Sequence, residues 1–220
     1  MRPSKRDTLL EAAERLFYAE GFHATGIDRV VEEAGVARMT LYNHFASKEA
    51  LIAAVLERRY RRYLEDLRAV IEDRGNGSAV AALASRHGEW LETVSTHGCI
   101  VIRAIAEFEQ HDATIAELGR RLKRDLLTLI GEALALDGHP ADPDLAGRIL
   151  VVLEGTDALV PILGAEAATA HLRAIVDRMR KAATAHDEKK LARLDLEFHS
   201  SLIHMARHDL LERTWSTLKI

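Results

Sequence analysis

The sequence lacks the features that mark secreted, disulfide-linked and membrane proteins. It has a single cysteine, Cys99, so no disulfide can form within the chain. The amino terminus runs into an amphipathic pattern without the long apolar segment of a signal peptide, and no later stretch is long and apolar enough to span a membrane. We therefore expect a cytoplasmic protein with no membrane partner.

Motifs for enzyme chemistry are missing as well. The chain contains no nucleophile elbow, phosphate loop, His-Glu-x-x-His zinc motif or pair of cysteine ligands. We therefore expect a protein that is not an enzyme and needs no cofactor. The alternative functions are those of a small helical enzyme and of a helical adaptor. The formal net charge of −4 gives no overall attraction for nucleic acid, so any such binding requires a locally basic surface.

Helical periodicity is present along the whole chain, and no alternating strand pattern is found. The first apolar stripe runs from Leu9 to Phe17 and stops at Gly21, where a left-handed cap is expected. A long helix is predicted from Ser47 to Arg74. Further helices are predicted over 78–96, 99–109, 112–136, 142–163 and 165–185, with a final pair over 187–207 and 209–219.

Residues 25–48 predict two short helices joined by a tight turn. Thr25 is suited to cap the first helix, and Gly35 can supply the positive φ of the turn. Leu41 and Phe45 are four residues apart in the second helix and should face the core. The outward face then carries Arg38, Thr40, Tyr42, Asn43 and His44. Such a face of hydrogen-bonding groups suits a DNA major groove.

Residues 8–56 resemble the TetR family of transcriptional regulators. The shared elements, in order, are Ala12-Ala13, Leu16-Phe17, Gly21-Phe22, Thr25, Ala34-Gly35-Val36, Thr40-Leu41-Tyr42, His44-Phe45 and Ser47-Lys48-Glu49-Ala50-Leu51. The resemblance implies that the DNA-contacting positions are Thr25, Arg38, Thr40, Tyr42, His44 and Lys48.

The chemistry of these positions agrees with DNA contact. Lys48 follows the N-cap Ser47, so its ammonium group joins the free amides of a helix N-terminus against a phosphate. Tyr42 and Thr25 can donate hydroxyl protons to phosphates, and the Arg38 fork can pair with guanine. The alternative is a helical hairpin with a merely solvated polar face.

The resemblance implies an all-α fold, with a three-helix helix-turn-helix DNA-binding domain over residues 1–50 and a helical effector-binding and dimerisation domain over 51–185. The expected function is that of a ligand-responsive repressor, a homodimer on a palindromic operator that a small-molecule effector releases. Candidate pocket residues are His87, Trp90, Arg103 and Phe108. Ordinary core and surface positions are the alternative for each of them, and Cys99 is expected to be a small apolar side chain.

The stretch from Ile149 to Val160 is apolar nearly all around a helix, which predicts burial on more than one side. By the resemblance, this helix and the next, over 165–185, form a four-helix dimer interface. We expect Leu153 to belong to that surface, although a monomer core could also explain the pattern.

The tail over 186–220 has a different character. Its Asp-x-x-Phe-His segment resembles part of the effector domain of FadR-type regulators of the GntR family. In that family Asp195 and His199 would be two metal ligands, four residues apart on one helix face. The other ligands are missing here, so an apolar stripe that packs on the dimer is the alternative role.

Overall fold

The structure is a computed structural model that describes residues 4–139 and 143–184. Its described part contains helices and no strand, as the apolar periodicity predicts. The helices are α1 Lys5–Glu20, α2 Ile27–Ala34, α3 Arg38–His44, α4 Lys48–Glu72, α5 Ala79–Thr93, α6 Ile100–Phe108, α7 Ala113–Leu136, α8 Pro143–Leu163 and α9 Ala165–Thr184. The predicted bounds agree to within about three residues. The predicted helix pair over 187–219 lies outside the described residues.

Polar caps fix where the helices begin. Ser4 and Ser47 accept hydrogen bonds from the amides of Asp7 and Ala50, which confirms the predicted start of α4. Asp112 caps α7 by accepting from the amides of Thr114 and Ile115.

Gly21 ends α1, but not in the way predicted. Its φ of 92° is positive, whereas its ψ of 165° is extended, so the residue lies outside the left-handed helical region. Only glycine adopts this combination readily. The chain therefore leaves α1 in an extended direction, toward the turn that leads into α2.

α1, α2 and α3 pack together as a small module at one end of the molecule, with α1 also lying against α4. The remaining helices form a helical body in which α7 packs against α4, α6 and α8, and α9 packs against α5 and α8. α4 spans both parts, because it packs against α1 of the module and against α5 and α7 of the helical body. No helix of the described part is long and apolar enough to cross a membrane.

Candidate nucleic-acid interface and effector cavity

α2 and α3 form the predicted helix-turn-helix. Gly35 lies between them in the left-handed helical conformation, with φ 62° and ψ 36°, and its amide donates to the carbonyl of Glu32. Val30, Leu41 and Phe45 are buried, which holds α3 against the rest of the module. The turn and the core face of α3 are thus confirmed.

The opposite face of α3 is exposed. Arg38, Tyr42, Asn43 and His44 all lie on it, and Thr40 is half-buried. The guanidinium of Arg38 donates to Asp28 of α2 at 2.8 Å and lies 5.8 Å from the centre of the Tyr42 ring. This ion pair holds Arg38 in place on a surface that is open to solvent.

Lys48 is the first residue of α4 and follows His44, the last residue of α3, by four positions. Its side chain is half-buried, and among the described residues it forms no ion pair. The first amides of α4 and this ammonium group therefore form a cationic end that can receive a phosphate.

Thr25 differs from its prediction. The N-cap of α2 is Gly26, and Thr25 is fully buried. Its hydroxyl donates to the carbonyl of Gly21 at 2.8 Å, so it closes the turn between α1 and α2. The prediction that Thr25 caps α2 is wrong, because the hydroxyl satisfies a buried carbonyl instead.

The helical body contains a cavity of about 30 Å³ between α4, α5, α6, α7 and α8. Two of the four predicted pocket residues, His87 and Trp90, line it. The other lining residues are Arg59, Tyr60, Tyr63, Ser95, Cys99, Ile100, Val101, Lys123 and Asp157.

Arg103 and Phe108 lie elsewhere. The Arg103 guanidinium donates to the carbonyls of Phe17 and Tyr18 at 2.8 and 2.9 Å, at the end of α1. The ring centre of Phe108 lies 5.6 Å from that of Phe22. The structure therefore does not bring these two residues to the cavity; they join α6 to the helix-turn-helix module.

Ionisable groups around the cavity form two buried ion pairs and leave one carboxylate over. Arg59 donates to Glu14 at 2.8 Å, and Lys123 donates to Glu154 at 2.5 Å. Asp157 has no such partner among the described residues. Its nearest neighbour of this kind is His87, with Nε2 3.5 Å from Oδ2.

Burial shifts the pKa values of His87 and Asp157 toward their neutral forms. It lowers the pKa of His87 from 6.5 to about 4 and raises the pKa of Asp157 from 3.8 to about 6, although Lys123 and Arg59 oppose the second shift. Burial also raises the pKa of the Cys99 thiol, which agrees with a small apolar role for that residue.

Most of the charged and hydroxyl groups in and around the cavity were not predicted from the sequence. Tyr60 and Tyr63 lie in the long helix predicted from Ser47 to Arg74, but helical spacing alone does not place their hydroxyls. Glu154 and Asp157 carry a usable signal, because they interrupt an otherwise apolar helix. Acidic residues inside such a helix are rarely buried without a partner.

α8 and α9 leave apolar side chains uncovered. Val151 and Ile162 on α8 are 57% and 75% exposed, and Leu163 is also exposed. On α9 the exposed positions include Ala167, Ala170 and Ala174, which share one side of the helix. Leu153, by contrast, is fully buried within the single chain, so the prediction that it lies in the dimer interface is wrong and its alternative, a position in the core of the chain, applies.

No group of three or more histidine, cysteine, aspartate or glutamate residues in the described part of the chain is placed to hold a metal ion. Asp195 and His199, the predicted metal ligands, lie outside the described residues.

Two family profiles match the chain. Residues 9–55 match the profile of bacterial regulatory proteins of the tetR family, and residues 152–220 match the FCD domain. The second match agrees with the resemblance of the tail to FadR-type effector domains. It begins inside α8, so its described portion comprises the second half of α8 and the whole of α9.

Characterised relatives cover parts of the chain. The transcriptional activator FasR of Mycolicibacterium smegmatis is 39% identical over 70 residues, which is 32% of each protein. The transcriptional repressor NemR of Escherichia coli is 26% identical over 133 residues, 59% of this chain and 66% of NemR. The matches thus span about a third of FasR and just under two thirds of NemR.

A solved structure covers more of the fold. A TetR-family transcriptional regulator from Streptomyces coelicolor superimposes with a TM-score of 0.73 at 27% identity, over 80% of this chain and 88% of the other. The likeness includes both the helix-turn-helix module and the helical body.

Proposed function

We propose that this chain is a ligand-responsive repressor of the TetR family that binds a palindromic operator as a homodimer, as its matches to that family support. The observation that carries this proposal is the exposed face of α3, which is held by a buried Leu41 and a left-handed Gly35. A short helix fixed in this way can enter a major groove.

Arg38, Tyr42 and Lys48 have distinct roles in the proposed contact. Arg38 reads a base, because its guanidinium is exposed and needs only to leave Asp28. Tyr42 and Lys48 bind phosphates and fix the position of α3. Thr40, Asn43 and His44 complete the surface. Thr25 is left out, because its hydroxyl donates inward.

Dimerisation uses the exposed apolar positions of α8 and α9. Val151 and Ile162 would lie against a second copy, and the alanines of α9 allow close approach of two helices. A four-helix interface of this kind places two α3 helices on one side of the dimer. Binding two half-sites at once provides the affinity that one half-site lacks.

The cavity supports a switch. Tyr60 and Tyr63 of α4 line it, while the first residue of the same helix is Lys48. An effector that displaces this end of α4 would swing the module and change the separation of the two α3 helices. The effector then releases DNA through its higher affinity for the altered form.

Selection of genomic fragments by the purified full chain tests DNA binding. Fluorescence anisotropy on the selected operator should show that Lys48→Ala weakens binding to all sequences and flattens the salt dependence. Arg38→Ala should reduce discrimination at one base of each half-site by roughly tenfold or more. Arg120→Ala on α7 is the matched control and should bind like the unaltered protein. Unchanged affinity in both α3 and α4 variants would overturn the proposal.

The direction of regulation needs its own measurement. A promoter with the selected operator, fused to a reporter, should give less product when the protein is present. More product would identify an activator and overturn the repressor assignment while leaving DNA binding intact.

A further inference from the structure

The carboxylate of Asp157 is the feature of the cavity that the fold leaves unmatched. Asp157 is buried in α8 and borders the cavity, together with Tyr60, Tyr63 and Trp90. No hydrogen bond to its carboxylate is found among the described residues; the nearest donor is Nε2 of His87 at 3.5 Å, while the charges of Lys123 and Arg59 act on it from farther away. A buried ionised carboxylate without a donor is unfavourable unless something else supplies one.

His87 cannot supply the missing positive charge. Its Nδ1 lies 2.8 Å from the Tyr63 hydroxyl, which can donate its proton there. The ring N–H is then on Nε2 and faces Asp157, as in a neutral imidazole. Burial lowers the pKa of His87, so this neutral form is the one present near neutral pH.

The two cations that border the cavity are already matched. Arg59 pairs with Glu14, and Lys123 pairs with Glu154. Arg62 also lies 3.5 Å from Glu14, but it is largely exposed and does not border the cavity. The cluster formed by the lining residues and these buried partners therefore carries one negative charge more than it has positive charges.

Three further buried polar atoms in this part of the described structure have no hydrogen-bond partner: the hydroxyl of Tyr60, Nε2 of His87 and Oε2 of Glu154. Tyr60 and His87 line the cavity, and Glu154 is the partner of the lining residue Lys123. The Tyr60 oxygen and Oε2 of Glu154 can accept a hydrogen bond, as can the carboxylate of Asp157, whereas Nε2 of His87 bears the ring N–H. Unpaired acceptors in this cluster therefore outnumber the unpaired N–H of His87.

The aromatic wall is consistent with this charge. Lys123 lies 5.2 Å from the ring centre of Tyr60, and Arg59 lies 5.8 Å from that of Trp90. Between them, the Tyr63 ring packs against both of these rings, and in the described structure no cation lies over it. A cation beside Asp157 would lie next to this aromatic wall, which favours a positive charge.

We propose that the cavity binds an organic monocation, a protonated amine, whose N–H groups donate to the carboxylate of Asp157 and the hydroxyl oxygen of Tyr60. A bound monocation neutralises the cluster and supplies donors to two of its unpaired acceptors. The cavity of about 30 Å³ has room for an ammonium group, and a longer substituent has to displace the side chains that line it. The inference that this monocation is the effector rests on the proposed function. The inference that the cavity binds a monocation does not.

Direct binding to the full chain tests the charge requirement. Calorimetric titration at pH 7.5 compares butylammonium and benzylammonium chloride with the alcohol and the carboxylate of the same carbon skeleton, at equal ionic strength. The ammonium compounds should bind more tightly than both counterparts by at least about tenfold. Equal or tighter binding of the alcohols or carboxylates, or no binding of any probe, would overturn the proposal.

Asp157→Asn then separates a binding role from a structural one. The variant should lose the preference for ammonium compounds, yet its midpoint of thermal unfolding should be unchanged or higher, because an unmatched buried charge has been removed. Glu117→Gln, an acid of α7 on the surface, is the control and should bind as before. Tyr60→Phe, which removes only the unpaired hydroxyl, should weaken ammonium binding and provides the test if Asp157→Asn does not fold.

Operator affinity, measured separately by anisotropy with and without butylammonium, distinguishes the two proposals. Ammonium binding without any operator binding would overturn the repressor function and leave the cation site. Operator binding without a preference for ammonium would do the reverse.

Discussion

Arg59 of α4 and Glu14 of α1 form a buried ion pair at 2.8 Å, and the same guanidinium donates to the carbonyl of Val94 at 2.9 Å. It also lies 4.5 Å from the centre of the Tyr18 ring. The Arg59 side chain thereby connects α1 of the helix-turn-helix module, α4 and the wall of the cavity.

Removing one partner of this pair should be costly. Glu14→Gln leaves the Arg59 charge buried without its carboxylate, and we expect a loss of about 3 kcal/mol or more in the free energy of unfolding, measured by urea denaturation. Glu11→Gln is the matched control on the same helix, since the Glu11–Arg58 pair at 3.1 Å is more exposed and should contribute at most about 1 kcal/mol. Equal effects of the two changes would show that the Glu14–Arg59 pair is not special.

Asp28 should restrain DNA binding. Its carboxylate forms an ion pair with the guanidinium of Arg38 at 2.8 Å and places a negative charge beside the proposed DNA surface. Asp28→Asn is therefore expected to tighten operator binding several-fold at low salt, with a smaller gain at high salt. Glu32→Gln makes the same charge change on the same helix without touching Arg38. An identical gain in the control would assign the effect to general repulsion alone.

Ile162 and Leu153 should respond differently to substitution. Ile162→Glu places a charge on the exposed surface of α8, so light scattering should show a monomer with an unchanged helical circular dichroism spectrum. Leu136→Glu, at an exposed apolar position on α7, should remain a dimer. Leu153→Ala should instead destabilise the fold by about 2–5 kcal/mol, because it leaves a cavity in the core. A dimeric Ile162→Glu protein would contradict the interface.

The stability of the Asp157→Asn variant relative to the unaltered protein should depend on pH. The pKa of Asp157 is raised to about 6, so its stabilising contribution is present below the ordinary value of 3.8 and is lost as pH rises through about 6. The variant should therefore be the more stable protein above pH 7, and its advantage should shrink by at most about 1.4 kcal/mol per pH unit between pH 6 and 4. Urea denaturation at several pH values measures this difference.

The ionisable groups that surround Asp157 come from every element packed around it. They are Arg59, Tyr60 and Tyr63 of α4, His87 of α5, Cys99 before α6, Lys123 of α7 and Glu154 of α8. His87 acts in the opposite sense, because its contribution is present above pH 6.5 and is lost as pH falls through about 4. Both proteins contain His87, so only the part of its contribution that depends on the charge of Asp157, 3.5 Å away, differs between them. A difference that does not change between pH 8 and 4 would show that Asp157 does not titrate in this range.

The helices could be predicted because their signals are local. Ser47 and Gly35 act through neighbouring backbone groups, and the spacing of Leu41 and Phe45 defines a face without reference to distant parts of the chain. The same reasoning gave the outward face of α3. Local patterns of this kind determine where a helix begins and which side it buries.

The errors arose where a side chain finds its partner through the tertiary fold. Arg103 donates to carbonyls of α1, some 85 residues earlier in the sequence, and no spacing rule predicts that contact. Leu153 was placed on the wrong side of α8, because an apolar pattern all around a helix does not say which side the single chain covers. Thr25 had two acceptable roles, and the buried carbonyl of Gly21 decided between them.

Tyr18 links α1 of the helix-turn-helix module to the helical body. The helix packs with α2 and α3, yet the Tyr18 hydroxyl accepts from the amide of His97 at 2.6 Å and lies 3.2 Å from the carbonyl of Gly98. Residues 1–50 therefore cannot be exchanged among regulators independently of the helical body. A graft of another protein's module must bring an acid at position 14 and a phenol at position 18, and a lineage that changes either one should change its counterpart in the helical body as well.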